Sequence, residues 1–191
     1  ISSSGALVSY SGKYTGRKPD WKRIVKDKNT ENIWWGKVNI PISEEDFDIA
    51  KNKSMDNIFS ETIKSKNIYQ IDVFINWNKN YRYNVRLYTN NPYHALFLKN
   101  MCIPSEEKHN LVDITIYDSS NIFYKDEEGL IALNFSKNEF IIMGTEYAGE
   151  LKKGLLTYMM YKMPLIDCLT LHSSANIGRN NDVSLFFGLS G

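Results

Sequence analysis

The sequence predicts an α/β fold, a layered domain in which helices flank a mixed β-sheet. Two signals carry that expectation: segments rich in β-branched and aromatic residues recur along the chain, and helix-start signals fall between them. Length agrees, because a 191-residue chain can bury roughly 70% of the surface it exposes when unfolded. With 42% hydrophobic and 13% aromatic residues and a mean hydropathy of −0.39, the composition is that of an ordinary globular protein.

Taken in order, Ser43-Glu44-Glu45-Asp46 is a capping signal that opens an amphipathic helix through Ile49, Met55, Ile58, Phe59 and Ile63. Tyr69 to Ile75 and Tyr83 to Thr89 read as strands, joined by the turn-like Asn76 to Asn80. Asn91-Pro92 starts a short helix over Tyr93 to Met101, with proline at the first helical position. Asp113 to Tyr117, Gly129 to Phe135 and Phe140 to Met143 complete five candidate strands, separated by a turn at Ser119 to Asn121 and a solvated charge run at Lys125 to Glu128. From Glu150 to Met163, before Pro164, the residues Leu151, Leu155, Leu156, Met159, Met160 and Met163 cover most of a helix circumference, so this helix should be largely buried. Two apolar strands close the chain, Cys168 to His172, followed by a polar turn at Ser173 to Asn176, and the buried Val183 to Phe187. No internal repeat is visible.

Charge and cysteine content narrow the function. The net charge is only +1, so bulk electrostatics give no reason to expect nucleic acid or an anionic membrane surface as partner. No apolar run approaches the ~20 residues that span a bilayer, and the first residues lack the basic and apolar regions of a leader. The two cysteines, Cys102 and Cys168, are far apart and fit a reducing, cytoplasmic setting.

Three places carry chemistry. Gly188-Leu189-Ser190-Gly191, directly after a strand, has the form of the first half of a phosphate loop, whose backbone N–H groups cradle phosphates. The lysine and the Ser/Thr of such a loop do not follow, so the sequence reads as a fragment cut inside a nucleotide site. Lys152 and Lys153 sit together in the first turn of the buried helix, where the positive end of the helix dipole opposes a cation and lowers a lysine's pKa. Either they reach out to solvent, or they meet an anion or a metal; about 100° apart on the helix, they must have different partners. His172 closes a strand, where active-site groups of α/β proteins collect, although a histidine there can equally be a surface hydrogen-bonding residue. His94 and His109 have no ligand spacing to a partner.

Five segments in order then resemble one family. Gly5 to Arg17, Asn32-Ile33-Trp34-Trp35-Gly36-Lys37-Val38-Asn39, Tyr147-Ala148-Gly149-Glu150-Leu151-Lys152-Lys153-Gly154, His172-Ser173-Ser174-Ala175-Asn176 and Phe186 to Gly191 are similar to successive signatures of ATP-dependent phosphoenolpyruvate carboxykinases. The resemblance implies a carboxy-lyase of gluconeogenesis that converts oxaloacetate and ATP to phosphoenolpyruvate, CO2 and ADP with Mn²⁺ and Mg²⁺. It implies that Arg17 grips a substrate carboxylate, for which a forked guanidinium suits better than lysine. By the same resemblance Tyr147 hydrogen-bonds the carboxylate that leaves, and Lys153 and His172 bind Mn²⁺. Lys152 stays charged toward substrate or phosphate, and Gly188, Leu189, Ser190 and Gly191 begin the ATP cradle. A lysine binds metal only as the neutral amine, so a depressed pKa at Lys153 is expected.

Two positions depart from the pattern, Ser173 for the usual cysteine after the histidine and Lys18 for a serine after Arg17. The expected division is an amino-terminal substrate-binding domain over 1–167 and the beginning of a nucleotide-binding domain over 168–191, inactive alone. The strand Val183 to Phe187 should then leave an apolar edge that favours self-association. Two other readings are open, a non-catalytic binding or regulatory module built on the same domain and an unrelated phosphate-loop nucleotidase.

Overall fold

The computed structural model describes residues 2–6, 8–60 and 67–188, which form two compact units, Ile1–Gly154 and Leu155–Gly191. The first unit is built on an eight-stranded mixed sheet. Its strands are β1 (Lys22–Val25), β2 (Ile40–Ile42), β3 (Tyr69–Ile75), β4 (Tyr83–Thr89), β5 (Ile103–Pro104), β6 (Ile114–Ser119), β7 (Leu130–Asn134) and β8 (Glu139–Met143), in the spatial order β2-β1-β7-β8-β6-β4-β3-β5. The helices are α1 (Glu44–Phe59), α2 (Pro92–Met101) and α3 (Gly149–Lys162), the last running on into the second unit.

The five expected strands form the middle of the sheet. β3 and β4 pair antiparallel in one register from Tyr69↔Thr89 to Ile75↔Tyr83, and β4, β6 and β8 run parallel to one another. The sequence reading missed β1, β2 and β5, which are two to four residues long and lack the alternation that marks a strand. Both outermost strands carry a proline, Pro41 in β2 and Pro104 in β5. Proline cannot donate to a ladder, so it is tolerated at an edge and discourages further pairing there.

Strand alternation assigns the helices to opposite faces. On one face α1 packs Phe47 and Ala50 against Val25, Leu130, Ala132, Ile141 and Met143, and Ser54 Oγ lies 2.6 Å from Ser119 Oγ. On the other, α2 meets Asp118 through His94, and the start of α3 presses Gly154 onto the Phe140 ring; Asp118 and Phe140 both lie on that second face. Ser43 caps α1 as expected, its Oγ accepting from the Asp46 N–H at 3.0 Å. Its buried face differs from the expected one: Phe47, Ala50, Ser54 and Ile58 point inward while Ile49 is 56% exposed. Here Ser54 is buried because Ser119 satisfies its hydroxyl, a partner that hydrophobicity alone cannot reveal. Ile63 lies outside the described residues.

The second unit corrects three expectations. Cys168 to His172 is not a strand; the strand β9 is Ser174–Ile177, where a turn was expected, and it pairs antiparallel with β10 (Val183–Phe186). The left-handed Asp167 that follows the turn Met163–Ile166 redirects the chain, and the pairing partner of β10 rather than local hydrophobicity selects the strand. β10 is not buried, since Val183, Leu185 and Phe186 are 62%, 50% and 58% exposed. α3 buries Leu151, Leu155 and Tyr158 but leaves Met160 exposed, so its burial is narrower than the apolar pattern implies.

Candidate functional site

Because β4, β6 and β8 are parallel and in register, the segments that leave their carboxyl ends gather at one edge of the first unit: Asn90-Asn91, Ser120 to Phe123, and Gly144 to Ala148. Ligand sites of α/β sheets lie at such ends. The segment Val8 to Arg17 runs over them, and a cavity of about 350 Å³ between the two is lined by Ser9, Tyr10, Asn91, Ser120, Asn121 and Glu146. Tyr14 anchors this segment by packing edge-on against Trp21, ring centroids 4.8 Å apart. A larger cavity, about 510 Å³, opens beside it, between Val8-Ser9-Ser11 and Pro92-Tyr93-Leu96, and is not the place where the charged residues converge.

The charged residues converge on Glu150, in the first turn of α3. Its carboxylate is buried, yet it accepts the Lys18 backbone N–H at 3.0 Å and lies 3.7 Å from Arg17 Nε. One acidic side chain therefore ties the Arg17 segment to the helix that carries Lys152 and Lys153. Burial pushes the Glu150 carboxyl above its ordinary range, although the Lys18 N–H, Arg17 and Lys153 pull the other way. The Lys153 ammonium is pushed down by partial burial, then by the like charges of Lys152 and Arg17, with Glu150 opposing. Lys22 is pushed down by burial and by Arg17, and donates to Asn39 Oδ1 at 2.9 Å. Arg17 and Lys153 both act on this one buried carboxylate, and Lys152 and Lys22 act in turn on those two cations, so positive charge exceeds negative here, which suits an anion.

Tyr147 stands on the tight link between β8 and α3. Gly144 begins this link at φ +74, Thr145 Oγ1 accepts the Tyr147 N–H at 3.1 Å, and the Glu150 N–H donates to the Tyr147 carbonyl at 3.2 Å. Its ring lies over Gly149, where a Cβ would come within 2.6 Å of Tyr147 Cζ, so only glycine lets the ring take this position. Glu146 lies against Gly12, at φ +65, where a Cβ would meet Glu146 Oε2 at 2.8 Å.

The structure thus brings Arg17 and Lys153 to one carboxylate and sets Tyr147 three residues before it. His172 lies in the second unit, exposed, in a bend directly before β9. Gly188 is exposed beyond β10, and Leu189, Ser190 and Gly191 lie outside the described residues. Among the described residues no three His, Cys, Asp or Glu side chains are grouped as metal ligands. The donors expected here, a lysine and a histidine, are of another kind, and the depressed Lys153 fits the neutral-amine requirement. Sequence reasoning missed Glu150 and Lys22 as members of the site. The signal for Glu150 was present, an acid in the first helical turn immediately before two lysines, but its burial was not readable.

A family model described as phosphoenolpyruvate carboxykinase matches residues 1–191. Among curated relatives named phosphoenolpyruvate carboxykinase (ATP), that of Neurospora crassa is 47% identical over 202 residues, and that of Saccharomyces cerevisiae 46% over 204 residues. A bacterial relative from Salinibacter ruber, phosphoenolpyruvate carboxykinase (ATP) 2, is 43% identical over 202 residues. Each comparison covers 100% of this chain but only 33%, 36% and 37% of the relative, so the chain spans about a third of their length.

Proposed function

The chain belongs to the ATP-dependent phosphoenolpyruvate carboxykinase family, and on that premise we propose that a full-length protein carrying it converts oxaloacetate and ATP to phosphoenolpyruvate, CO2 and ADP. The observation that carries the proposal is the cluster in which Glu150 joins Arg17 to the helix bearing Lys152 and Lys153. Oxaloacetate is a dianion, and the excess of positive charge around Glu150 suits it.

In this reading Arg17 holds one substrate carboxylate through two parallel N–H groups, while the Tyr147 hydroxyl donates a hydrogen bond to the carboxylate that departs. Breaking the bond to that carboxylate releases CO2 and leaves the electron pair in an enolate. The enolate oxygen then attacks the γ-phosphorus of ATP, and the bond to ADP breaks. Lys153 as the neutral amine and His172 would hold Mn²⁺, which when bound supplies fixed positive charge for the enolate oxygen. Lys152 faces the transferred phosphoryl group. Mg²⁺ accompanies the nucleotide, whose phosphates meet the backbone of Gly188, Leu189, Ser190 and Gly191. The division at residues 167 and 168 into a substrate-binding domain and the start of a nucleotide-binding domain follows this assignment of roles. A cytoplasmic setting is supported by Cys102 and Cys168, both free.

Arg17→Lys tests the reading, because it keeps the charge and removes the fork. In the full-length protein kcat/KM for oxaloacetate should fall roughly 10- to 100-fold while the KM for MgATP stays put, the loss of a charge-assisted hydrogen bond. Equal losses for both substrates, or none, would remove Arg17 from the substrate site.

A further inference from the structure

The most unusual polar group in the first unit is one the mechanism above does not use. His94, on α2, is fully buried, and both of its ring nitrogens meet oxygen: Nδ1 lies 2.8 Å from Asp118 Oδ2 and Nε2 lies 2.9 Å from the Glu146 carbonyl. A backbone carbonyl only accepts. Asp118 Oδ2 already receives the Thr89 hydroxyl at 2.6 Å, and Thr89 Oγ1 in turn accepts the Asn91 N–H at 2.9 Å. With acceptors at both nitrogens, the ring satisfies both contacts as a doubly protonated imidazolium paired with the Asp118 carboxylate. Burial works against that charge, but the carboxylate and the carbonyl outweigh it and hold the imidazole above its ordinary pKa.

The carbonyl that His94 holds belongs to the peptide that enters Tyr147. We propose that His94 is a positioning residue for Tyr147: anchored by Asp118 and Thr89 at the ends of β6 and β4, it clamps the Glu146 carbonyl and so fixes the Tyr147 peptide. The neighbouring contacts divide the work. Thr145 Oγ1 holds the Tyr147 N–H, the Glu150 N–H holds the Tyr147 carbonyl, and His94 supplies the remaining hold, on the carbonyl just before. Glu146 itself lies against Gly12, so the same clamp sets the floor on which the Arg17 segment runs. A charged donor suits this place because it makes a stronger hydrogen bond than a neutral one and is held in turn by its own carboxylate.

The proposal rests on the role given above to Tyr147, and its test separates the two. In the full-length protein, His94→Leu should lower kcat/KM for oxaloacetate about tenfold with the KM for MgATP unchanged, since a 1 Å misplacement can cost about 10²-fold and two other contacts still hold the Tyr147 peptide. His94→Gln keeps one N–H for the Glu146 carbonyl and should recover part of that loss. In a Tyr147→Phe background His94→Leu should cost nothing further, because the group it positions is gone. A full additive loss there, or a loss shared with MgATP, overturns the proposal. Should Tyr147→Phe alone cost nothing, the role of Tyr147 fails, and the clamp is then judged on the ring itself. Histidine-selective ¹⁵N spectra of the wild-type protein at pH 6.5 should show both His94 nitrogens protonated, and Asp118→Asn should leave only one. A ring with one protonated nitrogen in the wild type overturns the clamp, whether or not His94→Leu folds.

Discussion

Gly154→Ala offers the sharpest test of how α3 is seated. A Cβ at residue 154 would overlap the Phe140 ring at Cζ and Cε1 and come within 2.9 Å of Cε2, where ordinary contact begins at 3.4 Å. Phe140 cannot yield easily, being 2% exposed on β8, which is paired on both sides. Overpacking of this kind costs about 1–3 kcal/mol, and this overlap belongs at the upper end. Alanine returns about 1 kcal/mol through helix propensity. The net loss should be about 1–2 kcal/mol, lowering Tm by about 2–4 °C for each kcal/mol in a chain of this size. Thermal unfolding followed by circular dichroism reads it directly. Relief of the overlap also requires the first turns of α3 to lift from the sheet, so Glu150 and Lys153 move with them. An alanine variant as stable as wild type, or more so, would show that the helix does not press on β8 and would remove the rigid seat assigned to Lys153.

Two further predictions concern buried carboxylates. Because burial raises the Glu150 pKa, its contribution to stability is fully present below the unfolded value of 4.5 and is lost as pH rises through the folded value, so Glu150→Gln should gain stability relative to wild type between pH 4 and pH 7. Urea unfolding at the two pH values decides it, and the opposite trend refutes it. At Asp72 burial pushes the carboxyl up, but the Arg86 guanidinium at 2.8 and 2.7 Å and the His109 N–H at 2.7 Å outweigh it and hold the group below 3.8. Its contribution is present above that value and disappears as pH falls through the folded pKa. Asp72→Asn should therefore cost about 1.5–3 kcal/mol at neutral pH, a deficit that closes in acid; a deficit independent of pH would contradict the assignment.

What was legible in the sequence divides along physical lines. β3 and β4 match the expected bounds because each carries seven residues of β-branched and aromatic character ended by turn residues, and α2 is bounded because Asn91 and Pro92 announce it. β1 and β2 exist only through their neighbours: four and three residues gain strand geometry by pairing Ile24 with Pro41 and with Leu133. Pairing with the strand that follows it made β9 a strand where polar residues read as a turn. In the site, lysines at a helix start were visible because the helix dipole makes them anomalous. Glu150 was hidden, since an acid at the first helical turn is what propensity expects anyway. His94 was hidden more deeply, because its partners Asp118 and Glu146 lie 24 and 52 residues away in the chain.

In the proposed mechanism Lys153, not its neighbour, supplies a metal donor. Electron paramagnetic resonance titration of Mn²⁺ into the full-length protein tests this most directly, comparing Lys153→Arg with Lys152→Arg. A guanidinium stays protonated and has no lone pair to give, so Lys153→Arg should abolish tight Mn²⁺ binding while Lys152→Arg retains it. Wild-type Mn²⁺ affinity in the Lys153→Arg protein would contradict the account.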